Sequence, residues 1–139
     1  MKILIFGLPG SGKTTLSTAL VVLLHNAGHN VKHLNADAIR HEANDWDFSY
    51  EGRIRQSTRM KTLANQHLGT VICDFIAPVS EVREMLSPDF TVWVDTISAG
   101  RYDDTNAMFV PPDNCDIRVT YKDAATWSKI IFDKLVNIE

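Results

Sequence analysis

The chain opens on Lys2 to Phe6, where a single lysine precedes four unbroken apolar residues and Gly7 ends the run. A short continuous apolar run of this kind predicts a strand buried on both faces. The period then changes. Leu16, Ala19, Leu20, Leu23, Leu24 and Ala27 recur at i, i+3, i+4, i+7, i+8 and i+11, which predicts a helix with one apolar face and Gly28 as its C-terminal cap. "NVKHLN" alternates and predicts a second strand ending near Asn35. This order makes a right-handed β-α-β unit. Residues 37–44 predict a short helix, "DWDFSYEG" a polar, aromatic turn, and residues 51–67 a longer helix rich in Arg and Gln, closed by Gly69. "TVICDFI" is the strongest strand signal, "VSEVREML" a short helix between Pro78 and Pro88, "FTVWVDT" a fourth strand and "DIRVTY" a fifth. Residues 98–115 show no period, contain Pro111 and Pro112, and predict a loop. The last helix is expected to turn Trp127, Ile130, Ile131, Leu135 and Ile138 to one side.

Alternating strands and helices predict an α/β fold, a five-stranded, mainly parallel sheet between two helical layers. The chain has no internal repeat, no low-complexity stretch and no visible boundary, so residues 1–139 are expected to form one domain.

Composition narrows the partners rather than the fold. Apolar residues at 45% and charged residues at 22% are an ordinary globular balance. A net charge of −3 supplies no basic field, so no nucleic-acid partner is expected. No apolar run approaches the ~18 residues that span a bilayer, so no membrane is expected either. "MKILIFG" resembles the start of a signal peptide, but a glycine-rich loop follows where a cleavage site would stand, and the buried first strand is the reading that fits. Cys73 and Cys115 lack metal-ligand spacing and are expected to be small buried hydrophobes, which suits a reducing cytoplasm. His25, His29, His33, His41 and His67 form no ligand pattern.

Strand and helix are joined by "GLPGSGKTT", in which Gly7, Gly12, Lys13 and Thr14 satisfy G-x-x-x-x-G-K-[ST]. Glycines let the backbone curl so that N–H groups turn inward toward phosphate oxygens, and the helix that follows adds its positive end. The strand–loop–helix context is the one that gives this motif meaning, and it predicts a P-loop NTPase fold. Gly7, Leu8, Pro9, Gly10, Ser11, Gly12, Lys13, Thr14 and Thr15 are the expected cradle for the phosphates of ATP. Lys13 can reach the β- and γ-phosphates as a catalytic group, and the Thr14 hydroxyl can ligate Mg2+. At 139 residues there is little room for transducing domains, and the guanine-reading "NKxD" is absent. A small kinase is the leading class.

Asp37 follows the second strand, at the strand end where open α/β sheets bind ligands. Its carboxylate can accept an acceptor hydroxyl's proton or serve Mg2+ through water, or it can cap the helix over 38–44. Asp74 follows "VIC" and can help hold Mg2+, or be a polar residue at a strand edge. Among the cations Arg40, Arg53, Arg55, Arg59 and Lys61, the first and second are the candidates for an acceptor anion, while Arg55 and Lys61 read as a solvated face.

Taken in order, "GLPGSGKTT", "NADAIRHE", "DFSYEGRIRQSTR", "DFIAP" and "VDT" resemble the adenylylsulfate kinase family over about residues 3–96, with a weaker return at "FVPPDNCDIRV". That family transfers the γ-phosphate of ATP to the 3′-hydroxyl of adenosine 5′-phosphosulfate, a step of sulfate assimilation. The resemblance implies roles residue by residue. The family's D-G-D-N-[VI]-R-H falls on "NADAIRH", so Asp37 matches its second Asp, Arg40 its Arg, and Asn35 stands for its first Asp. G-F-S falls on Asp47, Phe48 and Ser49, making Phe48 the aromatic that stacks on the acceptor's adenine. D-R-x-x-N falls on Gly52, Arg53 and Gln56, both side chains expected at the acceptor. F-I-S-P is Phe75, Ile76, Ala77 and Pro78, with Ala77 in place of serine, and Arg83 matches the second Arg of the next helix. After Asp95 the family has a long basic lid. Here "TISAGRYDDTNAMFVPP" replaces it, shorter, acidic at Asp103 and Asp104, with Arg101 left to cover the ATP base or the transferred phosphoryl group. ATP and Mg2+ are the implied cofactors, a nucleotide the implied acceptor, and a second copy of the chain an allowed partner. Two alternatives stay open: a kinase for another nucleotide, nucleoside or polynucleotide end, and a nucleotide-binding regulatory protein with little turnover.

Overall fold

The computed structural model describes residues 1–100 and 102–138, the side chain of Ile138 excepted. The elements run β1 (Lys2–Phe6), α1 (Lys13–Asn26), β2 (Val31–Asn35), α2 (Ala36–Ala43), α3 (Tyr50–Gln66), β3 (Thr70–Phe75), α4 (Ser80–Leu86), β4 (Phe90–Val94), α5 (Asp103–Met108), β5 (Ile117–Val119) and α6 (Ala124–Ile138). All strand pairs are parallel, in the order β2-β3-β1-β4-β5.

The continuous apolar run of β1 is explained by its central place. Ile3 and Ile5 enter one core with Leu16, Leu20 and Leu24 of α1 and with Ile131 and Leu135 of α6. Leu4 and Phe6 enter the other, with Met60 and Ala64 of α3 and Val82 and Leu86 of α4. Each fully buried Leu, Ile or Phe contributes about 1.5–3 kcal/mol, so the two sandwiched layers dominate the fold's stability. Gly28 closes α1 at φ 89, with its N–H on the His25 carbonyl and that of His29 on Leu24, a left-handed stop that glycine adopts without strain.

The helix after β1 packs on one face and the helix after its neighbour β3 on the other. Between those strand ends lies the crevice where open α/β sheets take their ligands.

Four expectations are corrected. Residues 98–115 are not wholly loop: α5 is a helix of six residues, too short to show a period, with Asp103 and Asp104 in its first turn. Ile130 is 40% exposed; the buried face of α6 is Ser128, Ile131 and Leu135, with Trp127 packed partly against the core. The cap of α2 is Asn35, whose side chain accepts from the Ala38 N–H, so Asp37 is not the cap. Cys73 is buried as expected, while Cys115 is only half-buried.

Candidate active site

The phosphate loop is shaped by its own backbone. Gly10 and Gly12 sit at φ 84 and 101, in the left-handed region that favours glycine. Leu8 O accepts from the Ser11 N–H at 3.2 Å and from Lys13 Nζ at 3.0 Å. Thr96 Oγ1, after β4, donates to Ser11 O at 2.6 Å and ties the loop to the next strand end. No side chain caps the N-terminus of α1, and Ser11 Oγ is buried without a partner. An uncapped helix start and an orphan buried hydroxyl are what an anion-binding loop shows when its polar groups are kept for a ligand. The loop from Pro9 to Leu16 lines a cleft of about 970 Å³, a volume large enough for two nucleotide-sized ligands' reacting ends. Gly7 and Leu8 do not line it. Leu8 turns into the core at 9% exposure, and a Cβ on Gly7 would strike the Val94 carbonyl, so both shape the loop from behind.

Asp74, 2% exposed at the end of β3, faces the loop. The register explains why. Asn35 pairs with Asp74 and His33 with Ile72, so all four side chains share one face, and Ile72 lies in the core under α1. Asp74 Oδ2 accepts from Thr14 Oγ1 at 2.9 Å and Asn35 Nδ2 at 3.1 Å, and His33 Nε2 lies 3.1 Å away. Asn35 Nδ2 also reaches Thr14 Oγ1 at 3.1 Å. The pair Thr14 and Asp74 fits Mg2+: both offer hard oxygen, and Mg2+ is usually held by one or two protein groups plus phosphates and water rather than by a protein cage. No cluster of three His, Cys, Asp or Glu able to hold a metal occurs among the described residues. Asp37 lies in the first turn of α2, exposed and lining the same cleft.

The opposite end is assembled from four segments. Arg40 of α2 is 4% exposed, donates to the carbonyls of Asp45 at 2.9 Å and Asp47 at 3.2 Å, and lies 4.4 Å from the Phe48 ring centre. Arg53 of α3 is 5% exposed, donates to Phe48 O at 3.0 Å and Thr105 Oγ1 at 2.8 Å, and lies 5.4 Å from the same ring. Burial lowers both guanidinium pKa values, opposed at Arg40 by Asp45 and at Arg53 by Asp104. Phe48 thus presents an exposed ring backed by buried cations. Gln56 donates to Ala36 O at 3.0 Å, joining α3 to the start of α2. A Cβ on Gly52 would collide with the Asp47 carbonyl, so glycine permits the tight entry into α3, capped by Ser49. Phe75, Ile76 and Ala77 leave β3 along the cleft wall, with Ala77 held at φ 44. Arg83 donates to the carbonyls of Ala77 at 2.8 Å and Val110 at 2.6 Å and stacks on Phe6; burial lowers its pKa to about 10. It is a brace for the wall and does not line the cleft.

The structure therefore brings Pro9–Thr15, Asp37, Arg40, Phe48, Arg53, Gln56, Asp74, Phe75, Ile76 and Ala77 to one cleft. Arg101 lies outside the described residues. Arg55 and Arg59 instead pair with Asp45; Arg55 is exposed, while Arg59 and Asp45 are half-buried. Sequence reasoning missed Trp46, Asp104, Thr105, Tyr121 and Trp127, which also line the cleft. The aromatic run "DWDF" pointed to Trp46; the short α5 and the β5–α6 loop had no local signal, and Trp127 was read only as part of the apolar stripe of α6.

A glycine-rich loop between β1 and α1, set against an acidic residue on the neighbouring strand of a parallel sheet, defines a P-loop nucleotide-binding fold of the small-kinase type. The family model described as adenylylsulphate kinase matches residues 1–99. The chain belongs to that family. It is 37% identical over 84 residues to a probable adenylyl-sulfate kinase of Aeropyrum pernix, a match covering 58% of this chain and 46% of that protein. It is 40% identical over 81 residues to the adenylyl-sulfate kinase of Chloroflexus aurantiacus, covering 55% and 44%. These matches span under half the length of either relative. In three dimensions it resembles the Mycobacterium tuberculosis APS kinase CysC in complex with AMPPNP and APS, with TM-score 0.81, 22% identity and 96% of each chain covered. It also resembles shikimate kinase from Aquifex aeolicus, with TM-score 0.70, 18% identity, and 99% and 97% covered. At these identities the structural likeness shows the fold. No helix among the described residues is long and apolar enough to cross a membrane.

Proposed function

We propose that the protein is an ATP-dependent kinase that transfers the γ-phosphoryl group of ATP to a hydroxyl of adenosine 5′-phosphosulfate or a related nucleotide. The observation that carries this reading is a single cleft with an uncapped phosphate loop at one end and Phe48 over Arg40 and Arg53 at the other. Lys13 and the loop N–H groups hold the β- and γ-phosphates. Thr14 and Asp74 hold Mg2+, which neutralises charge on the phosphates when bound. Asp37 orients the acceptor hydroxyl and takes its proton as the new P–O bond forms and the bond to ADP breaks. Phe48 stacks on the acceptor's base, while Arg40 and Arg53 supply positive charge beside its anionic group. Alignment and charge neutralisation supply most of the catalysis, as is usual for phosphoryl transfer.

Incubation with ATP, Mg2+ and an acceptor panel tests this by ADP release. Adenosine 5′-phosphosulfate is expected to give the largest acceptor-dependent rate; absence of acceptor-dependent ADP with every compound overturns the reading. A second reading, the same chemistry on another nucleotide, nucleoside or polynucleotide end, is favoured by one observation: the family match stops at residue 99, and beyond it Asp104 and Thr105 contribute to the cleft. The two cysteines are free, which accords with a reducing cytoplasm. A homodimer is the proposed assembly, to be decided by light scattering.

A further inference from the structure

One histidine stands apart from the other four. His33 lies on β2, two residues before Asn35, on the face that β2 and β3 turn toward α1. It is 21% exposed, and its Nε2 lies 3.1 Å from Asp74 Oδ2, a residue 41 positions away. A carboxylate oxygen only accepts, so this hydrogen bond requires a proton on Nε2.

Asp74 Oδ2 gathers three partners, and they are not equivalent. Thr14 Oγ1 belongs to the phosphate loop and would turn toward a cation bound there. Asn35 Nδ2 is divided between Thr14 and Asp74, while its oxygen caps α2, so this amide is tied to the element that carries Asp37. His33 contacts Asp74 alone among these groups, and its backbone is fixed by the β2–β3 register. It is the partner whose hold on the carboxylate does not depend on either ligand-facing element. Hydrogen-bond donors behind a metal-binding carboxylate set its orientation, and their loss commonly weakens metal affinity 10–100-fold.

We propose that His33 is a positioning residue for the nucleotide's divalent cation: it pins Asp74 Oδ2 from the second strand and so fixes the carboxylate's rotation toward the phosphate loop. The inference rests on the reading of an Mg2+-nucleotide at that loop and not on the identity of the acceptor. His33 acts here as a hydrogen-bond donor, through Asp74, and does not line the cleft.

Calorimetric titration with ADP, with and without Mg2+, tests it on the full chain. The wild type is expected to bind ADP more tightly with Mg2+. His33→Leu, which keeps apolar bulk at a half-buried strand position, is expected to lose about tenfold of that Mg2+-dependent gain while its Mg2+-free ADP affinity stays within about twofold of wild type. His33→Gln, whose amide restores a donor at similar reach, is expected to recover most of the gain. The melting temperature of each variant without Mg2+ separates folding loss from cation loss. Equal gains in wild type and His33→Leu overturn the proposal and leave the functional reading intact. A loss in Mg2+-free affinity as large as the loss with Mg2+ also overturns it, since the effect is then structural. A wild type that gains nothing from Mg2+ overturns the cation reading itself.

Discussion

The two ends of the cleft are built on different principles. The phosphate end comes from nine consecutive residues whose backbone conformation is the binding element. Its internal bonds, Ser11 to Leu8 and Lys13 to Leu8, are local. The acceptor end comes from α2, the 44–50 turn, α3 and α5, and its key bond, Arg53 to Thr105, joins residues 52 positions apart. The first end carries its shape in its own backbone and takes from the rest of the chain a few ties, Thr96 to Ser11 and Asp74 to Thr14. The second depends on every element that delivers a side chain to it, including a segment beyond the family match.

Changes at either end should therefore separate in kinetics. The largest effect is expected from Lys13→Ala, which removes the one long cation of the phosphate loop: ATP-dependent turnover should fall by about 10²-fold or more in a steady-state assay. Unaffected turnover would place the phosphates elsewhere. Arg53→Ala should come next, raising the acceptor KM by about 10–100-fold, the worth of a hydrogen bond to a charged group, while the ATP KM moves little. An equal rise in both would erase the distinction between the ends. Thr105→Val keeps the shape of a buried residue but removes the oxygen that accepts from Arg53. This bond positions Arg53 rather than touching the acceptor, so the acceptor KM should rise less than for Arg53→Ala, by about fivefold, with Thr105→Ser restoring it. The smallest effect belongs to the outer surface. The Arg55 hydrogen bond, helped by the Asp47 N–H, holds the Asp45 carboxyl well below the usual carboxylate range. A depressed folded pKa stabilises above the unfolded value of about 3.9 and is lost as the pH falls below it. Denaturation midpoints of Asp45→Asn should then fall less steeply than those of wild type between about pH 4 and pH 2. An unchanged slope would show that solvent screening leaves this ion-pair network without weight.

Much of the phosphate end was legible in the sequence because its determinants are local. Gly12 before Lys13, the apolar strand before the loop and the stripe after it can each be read within one window. Asp74 was legible as a candidate but not as a contact, because "TVICDFI" is buried on both sides and alternation cannot say which face looks toward α1. At the acceptor end, Arg40 and Arg53 were singled out as cations suited to an anion and Phe48 through family likeness, whereas Trp46 and Thr105 were not found. α5 is under two turns long and leaves no periodicity. Ile130 was misassigned because its apolar character fits the stripe of α6, and only the packing of α6 on α1 shows that Ser128 takes the buried place.

The sequence by itself determined the five strands and the helices long enough to show a period, the conformation of the phosphate loop and the class of chemistry it serves, since each depends on residues within a few positions of one another. The tertiary structure decided which carboxylate the loop meets, which oxygen Arg53 holds and what stands behind Asp74. Those contacts join residues 60, 52 and 41 positions apart. Their geometry is set by sheet register and by helix packing across two cores, which no local pattern encodes.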